Sequence, residues 1–498
     1  MRIAELFRQL PDDVDIPQGL ASLEARGLAY DSRLVQPGDL FFAFAGARTD
    51  GNLYALSAME KGAAAVVSES AAPAGAAAPW IRVPHGRRAL ATAAHAFYRD
   101  AAERAILTGI TGTNGKTTTA WLIDAVLRAA GERTALIGTV NYRLGDTLLP
   151  AQNTTPESLD IYRLIQSLSD LGGRYLTMEV SSHALALGRV HGIHYQTAVF
   201  TNLTQDHLDF HGTMDSYFGA KQLLFSEERA QPPAWAILNA DDPYANQVAL
   251  APQTEAIRFG LNETADLRGL NVETGFYGIS FDVDWRGKRS RLRSPLLGEF
   301  NVHNLLAAYG ACISHGIDRA AIHEALAHAP AVPGRFERVD AGQPFAVVVD
   351  YAHTPDALIN LLVSARKLKP TRVITVFGCG GNRDRSKRPL MAEAAASLSD
   401  FVVLTSDNPR TEAPLDIMND ALVGLQRFDT PRLLEVDRGE AIRRAIRMAE
   451  PGDIVLIAGK GHETQQIFAD RTDHFDDREV ALEAILQRGF GDPHGERS

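Results

Sequence analysis

Ala105-Ile106-Leu107-Thr108-Gly109-Ile110-Thr111-Gly112-Thr113-Asn114-Gly115-Lys116-Thr117-Thr118 is the stretch that decides how this chain is read. Residues 105–111 have the length and β-branched content of a strand. A compact glycine turn follows, and 117–130 carries the pattern of a helix stopped by Gly131. Gly112 and Gly115 let backbone N–H groups crowd a phosphate, and Lys116 neutralises it. Thr117 offers an oxygen to Mg²⁺, while the helix N-terminus adds partial positive charge. The usual phosphate-loop pattern has a glycine five positions before Gly115, where this chain has Ile110. The strand-turn-helix context still points to a nucleoside triphosphate. It does not say which reaction the phosphates drive.

Working outward, 134–138 completes a βαβ beginning, and strands are expected at 175–180, 197–200 and 234–238. The alternation across 255–295 suggests antiparallel ribbons, and 300–328 reads as helix. A third region starts near Ala331-Val332-Pro333-Gly334. Its strands are expected at 345–349, 372–377, 401–404 and 454–458, with helices near 355–367, 388–398 and 439–449. Strands separated by helices predict a mainly parallel sheet. Each of these strands runs into chemistry: Asp350-Tyr351-Ala352-His353, Gly378-Cys379-Gly380-Gly381, Asp407-Asn408-Pro409-Arg410 and Gly459-Lys460-Gly461-His462-Glu463. Sheets of this kind bind ligands at that edge. Residues 1–100 read as a small mixed domain with a strand at 40–45, a loop at 71–80 and a helix at 87–99.

At 498 residues the chain has room for about three domains. The expected division is 1–100, 101–332 and 333–498. Fifty Lys and Arg against 61 Asp and Glu give a net charge of −11, which argues against a polybasic nucleic-acid or membrane surface. Cys312 and Cys379 are too few to staple the chain, so a reducing compartment is expected. The charged start and the absence of a run of roughly 20 apolar residues lead to the expectation of a cytoplasmic protein without membrane insertion.

Two further regions carry chemistry. Glu179 ends a strand before Ser181-Ser182-His183, where an acid can hold Mg²⁺ or its water against phosphates. The run 201–212 is rich in oxygen and nitrogen donors. Zinc is one reading, but no cysteine lies nearby and the spacing is not a standard zinc pattern, so Mg²⁺ is favoured. Lys221, read alone, is most simply a solvent-facing helix residue.

Taken together, 111–118, Glu179 with Ser181-Ser182-His183, 201–212, Lys221, Pro333-Gly334-Arg335-Phe336-Glu337 and 350–353 resemble the Mur ligases, ATP-dependent amide-forming enzymes of peptidoglycan precursor synthesis. The resemblance runs from Asp31 to Glu463. Asp407 through Arg410 and Gly459 through Glu463 narrow it to the branch adding the third peptide residue. It implies an α/β, three-domain architecture: a small N-terminal α/β domain for the UDP precursor, a central phosphate-loop ATPase-like domain, and a Rossmann-like C-terminal domain for the incoming amino acid. It implies ATP as co-substrate, Mg²⁺ as cofactor, UDP-N-acetylmuramoyl-L-alanyl-D-glutamate as acceptor and meso-2,6-diaminopimelate as donor. A monomer is expected, as are roles in cell-wall growth, shape and division.

By that resemblance Lys116, Glu179, His207 and Lys221 are catalytic, and Thr117, Glu179, His207 and Lys221 serve the metal. Lys221 would be carbamylated. ATP falls to Gly112, Thr113, Asn114, Gly115, Lys116, Thr117, Thr118, Asn301, Asn304, Arg335 and Asp350. The UDP precursor falls to Ser32, Asn153, Thr154, Thr155, Ser181 and Arg189, with Leu187 where some members have a polar glutamine. Diaminopimelate falls to Arg383, Asp407, Asn408, Pro409, Arg410, Gly459 and Glu463. Arg410 offers a rigid donor fork for the distal carboxylate that L-lysine lacks. The bland reading has Arg410 capping a loop or pairing with Glu412. A ligase adding L-lysine, a phosphate-loop kinase or hydrolase, and a nucleotide-responsive interaction module are the competing classes.

Overall fold

The computed structural model describes residues 1–8, 14, 16–46, 49–73, 79–226 and 231–491. It divides into two compact units, 1–268 with 304–325 and 269–303 with 326–498.

The first unit opens with a four-stranded parallel sheet of β1 (Gly27–Ala29), β2 (Asp39–Ala43), β3 (Ala65–Ser68) and β4 (Trp80–Arg82), in that order. Every residue of β2 and β3 is buried, and their apolar stretches 40–43 and 65–67 are covered on both faces. Part of the loop expected at 71–80 lies outside the described residues. The helix expected at 87–99 forms as Gly86–Phe97.

The same unit holds a larger sheet. Its strands are β5 (Ile106–Thr111), β6 (Thr134–Ile137), β7 (Asn141–Leu144), β8 (Thr147–Pro150), β9 (Tyr175–Glu179), β10 (Thr197–Phe200), β11 (Trp235–Asn239) and β12 (Glu255–Gly260). They lie in the order β12-β11-β10-β5-β9-β6-β7-β8, with only the β6-β7-β8 meander antiparallel. Helix Lys116–Ala129 buries Leu122, Ile123 and Val126. The parallel register positions the chemistry, because Phe200 pairs with Thr111 and Glu179 with Ile110. The phosphate loop, Glu179 and the donor-rich 201–212 run therefore leave the sheet at one edge.

Two expectations are corrected. β12 pairs in parallel with β11, as does the start of β13 (Leu267–Gly275) with β12. Antiparallel pairing is seen between β14 (Gly278–Trp285) and β15 (Lys288–Ser294). Alternating polarity reports a strand exposed on one face, and by itself it does not fix direction. The helix expected across 300–328 is two, Phe300–Ser314 and Arg319–Ala327, broken at Gly316 with φ +76°.

The second unit carries a six-stranded sheet of β16 (Glu337–Arg338), β17 (Ala346–Asp350), β18 (Val373–Cys379), β19 (Phe401–Ser406), β20 (Arg432–Leu434) and β21 (Ile454–Ala458). The order is β16-β17-β21-β18-β19-β20, and only β16 is antiparallel. Alternate strand residues face opposite layers. Val348, Phe377 and Leu404 pack with helices Pro355–Lys367, Lys387–Leu398 and Pro414–Leu425. Val349, Val376 and Val403 pack with Arg438–Met448 and Asp477–Gln487. A hairpin of β22 (Gln465–Ile467) and β23 (Thr472–His474) follows β21. Among the described residues no helix is long and apolar enough to cross a membrane.

Candidate active site

The phosphate loop is held by hydrogen bonds with both the backbone and the side chains of 201–202. Thr113 N donates to Asn202 O (2.9 Å) and Asn114 N to Asn202 Oδ1 (2.9 Å). Thr201 Oγ1 donates to Asn114 O at 2.6 Å. Gly112 and Gly115 adopt φ +146° and +85°, and a Cβ would strike Thr201 Oγ1 at the first and Asn304 Oδ1 at the second. Only glycine fits both demands. Lys116 Nζ donates to Gly112 O (3.0 Å) and Thr113 O (2.8 Å), which folds its charge over its own loop. Thr117 and Thr118 are buried in the first turn of the following helix.

Lys221 is 1 % exposed, which corrects the solvent-facing expectation. Its Nζ donates to Gly112 O at 2.8 Å and lies 4.4 Å from the centroid of the Tyr217 ring. Burial, then the neighbouring Lys116 charge, pushes its pKa well below the usual lysine value, against a weaker opposing pull from Asp206. Two lysines thus share one carbonyl beside the phosphate loop.

Glu179 is also 1 % exposed. Its Oε1 accepts from Thr139 N (2.7 Å) and its Oε2 from Thr139 Oγ1 (3.2 Å). His207 packs edge-on to His183 with ring centroids 4.9 Å apart, and His211 Nε2 lies 2.9 Å from Ser182 Oγ. Burial lowers the pKa of all three imidazoles. At His207 the Asp206 carboxylate opposes burial, while Lys116 and Lys221 reinforce it. Neutral imidazoles keep a lone pair for a metal or a proton.

Among the described residues no three His, Cys, Asp or Glu converge as a ready cation cage. The donor chemistry fits Mg²⁺ rather than a closed zinc site. Mg²⁺ keeps several waters and phosphate oxygens, so a carboxylate such as Glu179 and a hydroxyl such as Thr117 are the complement it needs. Lys221 as an amine is a donor to Gly112 O. Only its carbamate would ligate a cation.

A second cluster adjoins Glu179. Thr154 Oγ1 meets Thr139 Oγ1 at 3.1 Å, and Thr155 Oγ1 donates to Glu179 O at 2.9 Å and accepts from Ser181 N at 3.0 Å. Arg189 Nη1 donates to Thr155 O at 3.1 Å, and Glu157 bridges Arg189 and Arg87, each 3.1 Å from Glu157 Oε1. Asn153 O accepts from Tyr142 OH at 2.6 Å. Leu187 caps the short helix Ser182–Ala186. Ser32 lies in the loop after β1, its carbonyl held by Lys61 Nζ at 2.9 Å. Nearby Tyr30 OH donates to Asp160 Oδ2 at 2.5 Å.

In the second unit, Asp350 Oδ2 accepts from Phe336 N (2.7 Å) and Oδ1 from Ala352 N (2.8 Å). Burial raises its pKa, opposed first by Arg335. Arg335 lies 5.2 Å over the Tyr351 ring. Asn301 Nδ2 donates to Leu297 O at 2.7 Å. The loops after β18, β19 and β21 meet. Arg410 Nη1 donates to Gly381 O (2.9 Å) and Asn408 O (3.4 Å), and its backbone N donates to Ile467 O (2.9 Å). Asn408 Nδ2 donates to Glu463 Oε2 at 2.8 Å. Asp407 Oδ1 accepts from Asn408 N at 2.6 Å, and Arg383 is exposed on the loop after β18. Of the two bland alternatives for Arg410, the loop cap is seen in its bonds to the Gly381 and Asn408 carbonyls, while Glu412 is taken by Arg388 at 2.8 Å and the Arg410–Glu412 pair does not form.

Three family models match: the Mur ligase family catalytic domain at 24–98, the Mur ligase middle domain at 110–312 and the Mur ligase glutamate ligase domain at 334–461. The chain is 56 % identical over 491 residues to the UDP-N-acetylmuramoyl-L-alanyl-D-glutamate--2,6-diaminopimelate ligase of Solibacter usitatus, with 99 % of both chains covered. The chain belongs to the Mur ligase family. It is 49 % identical over 467 residues to the enzyme of the same name from Geobacillus thermodenitrificans, covering 93 % of this chain and 95 % of that one. A solved structure of a protein of that name superposes with a TM-score of 0.74 at 33 % identity, over 98 % of this chain and 99 % of that one. The three-domain α/β architecture expected from sequence is the architecture of this Mur ligase.

Several site residues were not singled out by sequence reading. Lys460 is fully buried among Asn408, Glu463 and Gln465. Arg438 pairs with Asp477 (2.7 Å) and donates to Ser406 O (3.3 Å) and Ala458 O (3.0 Å), tying together the ends of β19 and β21. Thr139, Arg87 and Glu157 complete the first unit's cluster. A lysine between two glycines at a strand end was the available signal for Lys460. Nothing in sequence pairs Arg438 with Asp477.

Proposed function

We propose that this Mur ligase joins meso-2,6-diaminopimelate to the D-glutamyl γ-carboxylate of UDP-N-acetylmuramoyl-L-alanyl-D-glutamate, with ATP converted to ADP and phosphate. The observation that carries this reading is the 56 % identity, over 99 % of both chains, to a ligase of that name, joined to the hydrogen bonds that link Arg410, Asn408 and Glu463. Residues 1–100 serve the UDP precursor, 101–332 ATP, and 333–498 the amino acid.

The chemistry follows from the leaving group. An amine does not displace oxide from a carboxylate. The γ-carboxylate first attacks the γ-phosphorus of ATP, forming a C(O)O–P bond and breaking the bond to the β-phosphate oxygen. ADP leaves. The amine then attacks the acyl carbon, a tetrahedral intermediate forms, and its C–O bond to phosphate breaks as the nitrogen loses a proton. His353 is a candidate for taking it, since Nδ1 lies 2.8 Å from Tyr351 O and leaves Nε2 as the acceptor.

Lys116 and the Gly112–Thr118 backbone offset charge crowding around the transferred phosphoryl group. Thr117, Glu179, His207 and Lys221 would hold Mg²⁺, which supplies charge neutralisation of phosphate and carboxylate oxygens when bound. Carbamylation of Lys221 joins Nζ to the carbon of CO₂ with loss of one proton. That reaction needs the neutral amine, and burial together with the Lys116 charge shifts Lys221 toward it. Asn153, Thr154, Thr155, Ser181, Arg189 and Ser32 orient the acceptor. Asn301, Asn304, Arg335 and Asp350 hold the nucleotide.

The test is product analysis with ATP, acceptor and one amino acid at a time. ADP and phosphate should appear in step with a new amide, only when acceptor and meso-diaminopimelate are both present, and L-lysine should substitute poorly. Turnover without the amino acid, or a stable phosphorylated product, would overturn the ligase reading.

A further inference from the structure

We infer that Lys460 is a positioning residue for the incoming diamino acid: it fixes one oxygen of Glu463, so that the other is left to hold the amino group remote from the new amide. This rests on the proposed reading that the Asp407–Arg410 and Gly459–Glu463 loops receive diaminopimelate.

Lys460 follows β21 directly and is 0 % exposed. A buried ammonium is costly unless its protons find acceptors. Here it has three: Gln465 O at 2.5 Å, Asn408 Oδ1 at 3.0 Å and Glu463 Oε2 at 3.4 Å. The Asn408 amide is held one way round, because Oδ1 also accepts from Ile467 N at 3.0 Å. Its Nδ2 is thereby committed to Glu463 Oε2 at 2.8 Å. Both donors converge on the same oxygen, Asn408 closely and Lys460 as a longer ion pair. Glu463 Oε1 has no hydrogen bond among the described residues, and the Glu463 side chain is 35 % exposed. One carboxylate oxygen held by two donors, with the other carrying no hydrogen bond among the described residues on a partly exposed side chain, suits an ammonium ligand. With Lys460 gone, the amide keeps its bonds to Ile467 N and Glu463 Oε2 but loses the charged donor on Oδ1, and Glu463 Oε2 loses the cation beside it. The strand ends do not require this lysine, since Arg438 already ties Ser406 O and Ala458 O.

The experiment compares meso-diaminopimelate with 2-aminopimelate, the same diacid lacking the second amine, in steady-state amide formation. Lys460→Met should raise KM for meso-diaminopimelate about 30-fold, the order expected for losing a charge-assisted anchor. KM for 2-aminopimelate should move less than about threefold, and KM for ATP less than about twofold. A general structural role would raise both diacids alike; an equal rise, or no rise for either, overturns the inference. If Lys460→Met does not fold by circular dichroism, Lys460→Gln and the more exposed Glu463→Gln take its place. Each must show the same selective loss, and an equal effect on the two diacids again refutes the role. If Arg410→Ala leaves the preference for meso-diaminopimelate over L-lysine unchanged, the pocket reading falls and takes this inference with it.

Discussion

Arg410→Ala is the substitution whose effect can be followed furthest. Arg410 sits at φ +54°, and alanine keeps both that left-handed backbone and the 2.9 Å bond from its N–H to Ile467 O. The folded state loses the Nη1 bonds to Gly381 O at 2.9 Å and Asn408 O at 3.4 Å, the second long and weak. For a partly exposed side chain that amounts to about 1 kcal/mol. The substrate loses more. Nε and Nη2 carry no hydrogen bond among the described residues, so the fork is open to a carboxylate, and removing one partner of such a charged pair costs about 2–5 kcal/mol. We expect kcat/KM for meso-diaminopimelate to fall roughly 100- to 1,000-fold. L-Lysine lacks the distal carboxylate and should change by only about threefold. Arg410→Lys should recover part of the loss as a point charge without the fork. The assay is initial-rate ADP release at saturating ATP and acceptor with the amino acid varied, beside KM for ATP. An unchanged preference between the two amino acids, or an equal loss of ATP affinity, would refute the assignment.

Three further outcomes are expected. Lys116→Ala should lower turnover at least about 100-fold in a variant that still folds; near-normal product formation by the folded variant would remove Lys116 from the chemistry. Lys221→Ala should abolish most activity, and a short carboxylic acid such as acetate should restore part of it, since the group missing is an anion; full activity without additive would dismiss the carbamate. His315 lies 2.7 Å from Thr108 Oγ1, and burial lowers its pKa from the usual 6.5 to about 4. Its contribution is therefore complete above pH 6.5 and is lost as pH falls toward 4, because the unfolded chain takes up the proton first. That amounts to about 3 kcal/mol at the acid end. Urea melts at pH 8 and 4.5 should show a steeper loss for wild type than for His315→Gln, and equal pH slopes would contradict the linkage.

Legibility followed distance along the chain. The strand, glycine turn and helix at 105–129 could be read directly, since apolar periodicity and two glycines specify them within one contiguous segment. The parallel sheet of the second unit was legible from strands alternating with helices. The direction of β12 was not, because its alternation records which face is exposed while its partner β11 decides the pairing. The site divided the same way. Asp407 through Arg410 could be read as a set of donors and acceptors, but the sequence could not say whether Arg410 pairs with Glu412, which Arg388, distant in sequence, occupies.

The sequence by itself determined the local chemistry of this protein: which loop can wrap a phosphate, which strand ends carry acids, amides and arginines, and which family those motifs belong to. These follow from contiguous residues, whose backbone preferences and functional groups travel together. Only the tertiary structure decided the state of the lysines. Lys221 is buried against Gly112 O, 109 residues away, and Lys460 against Asn408, 52 residues away. Burial and hydrogen-bond partners are properties of neighbours, and parallel strands bring neighbours together only after long crossovers. A lysine in sequence is a flexible cation by default. It becomes a depressed-pKa amine or a buried clamp only when the fold removes its water and supplies the acceptors.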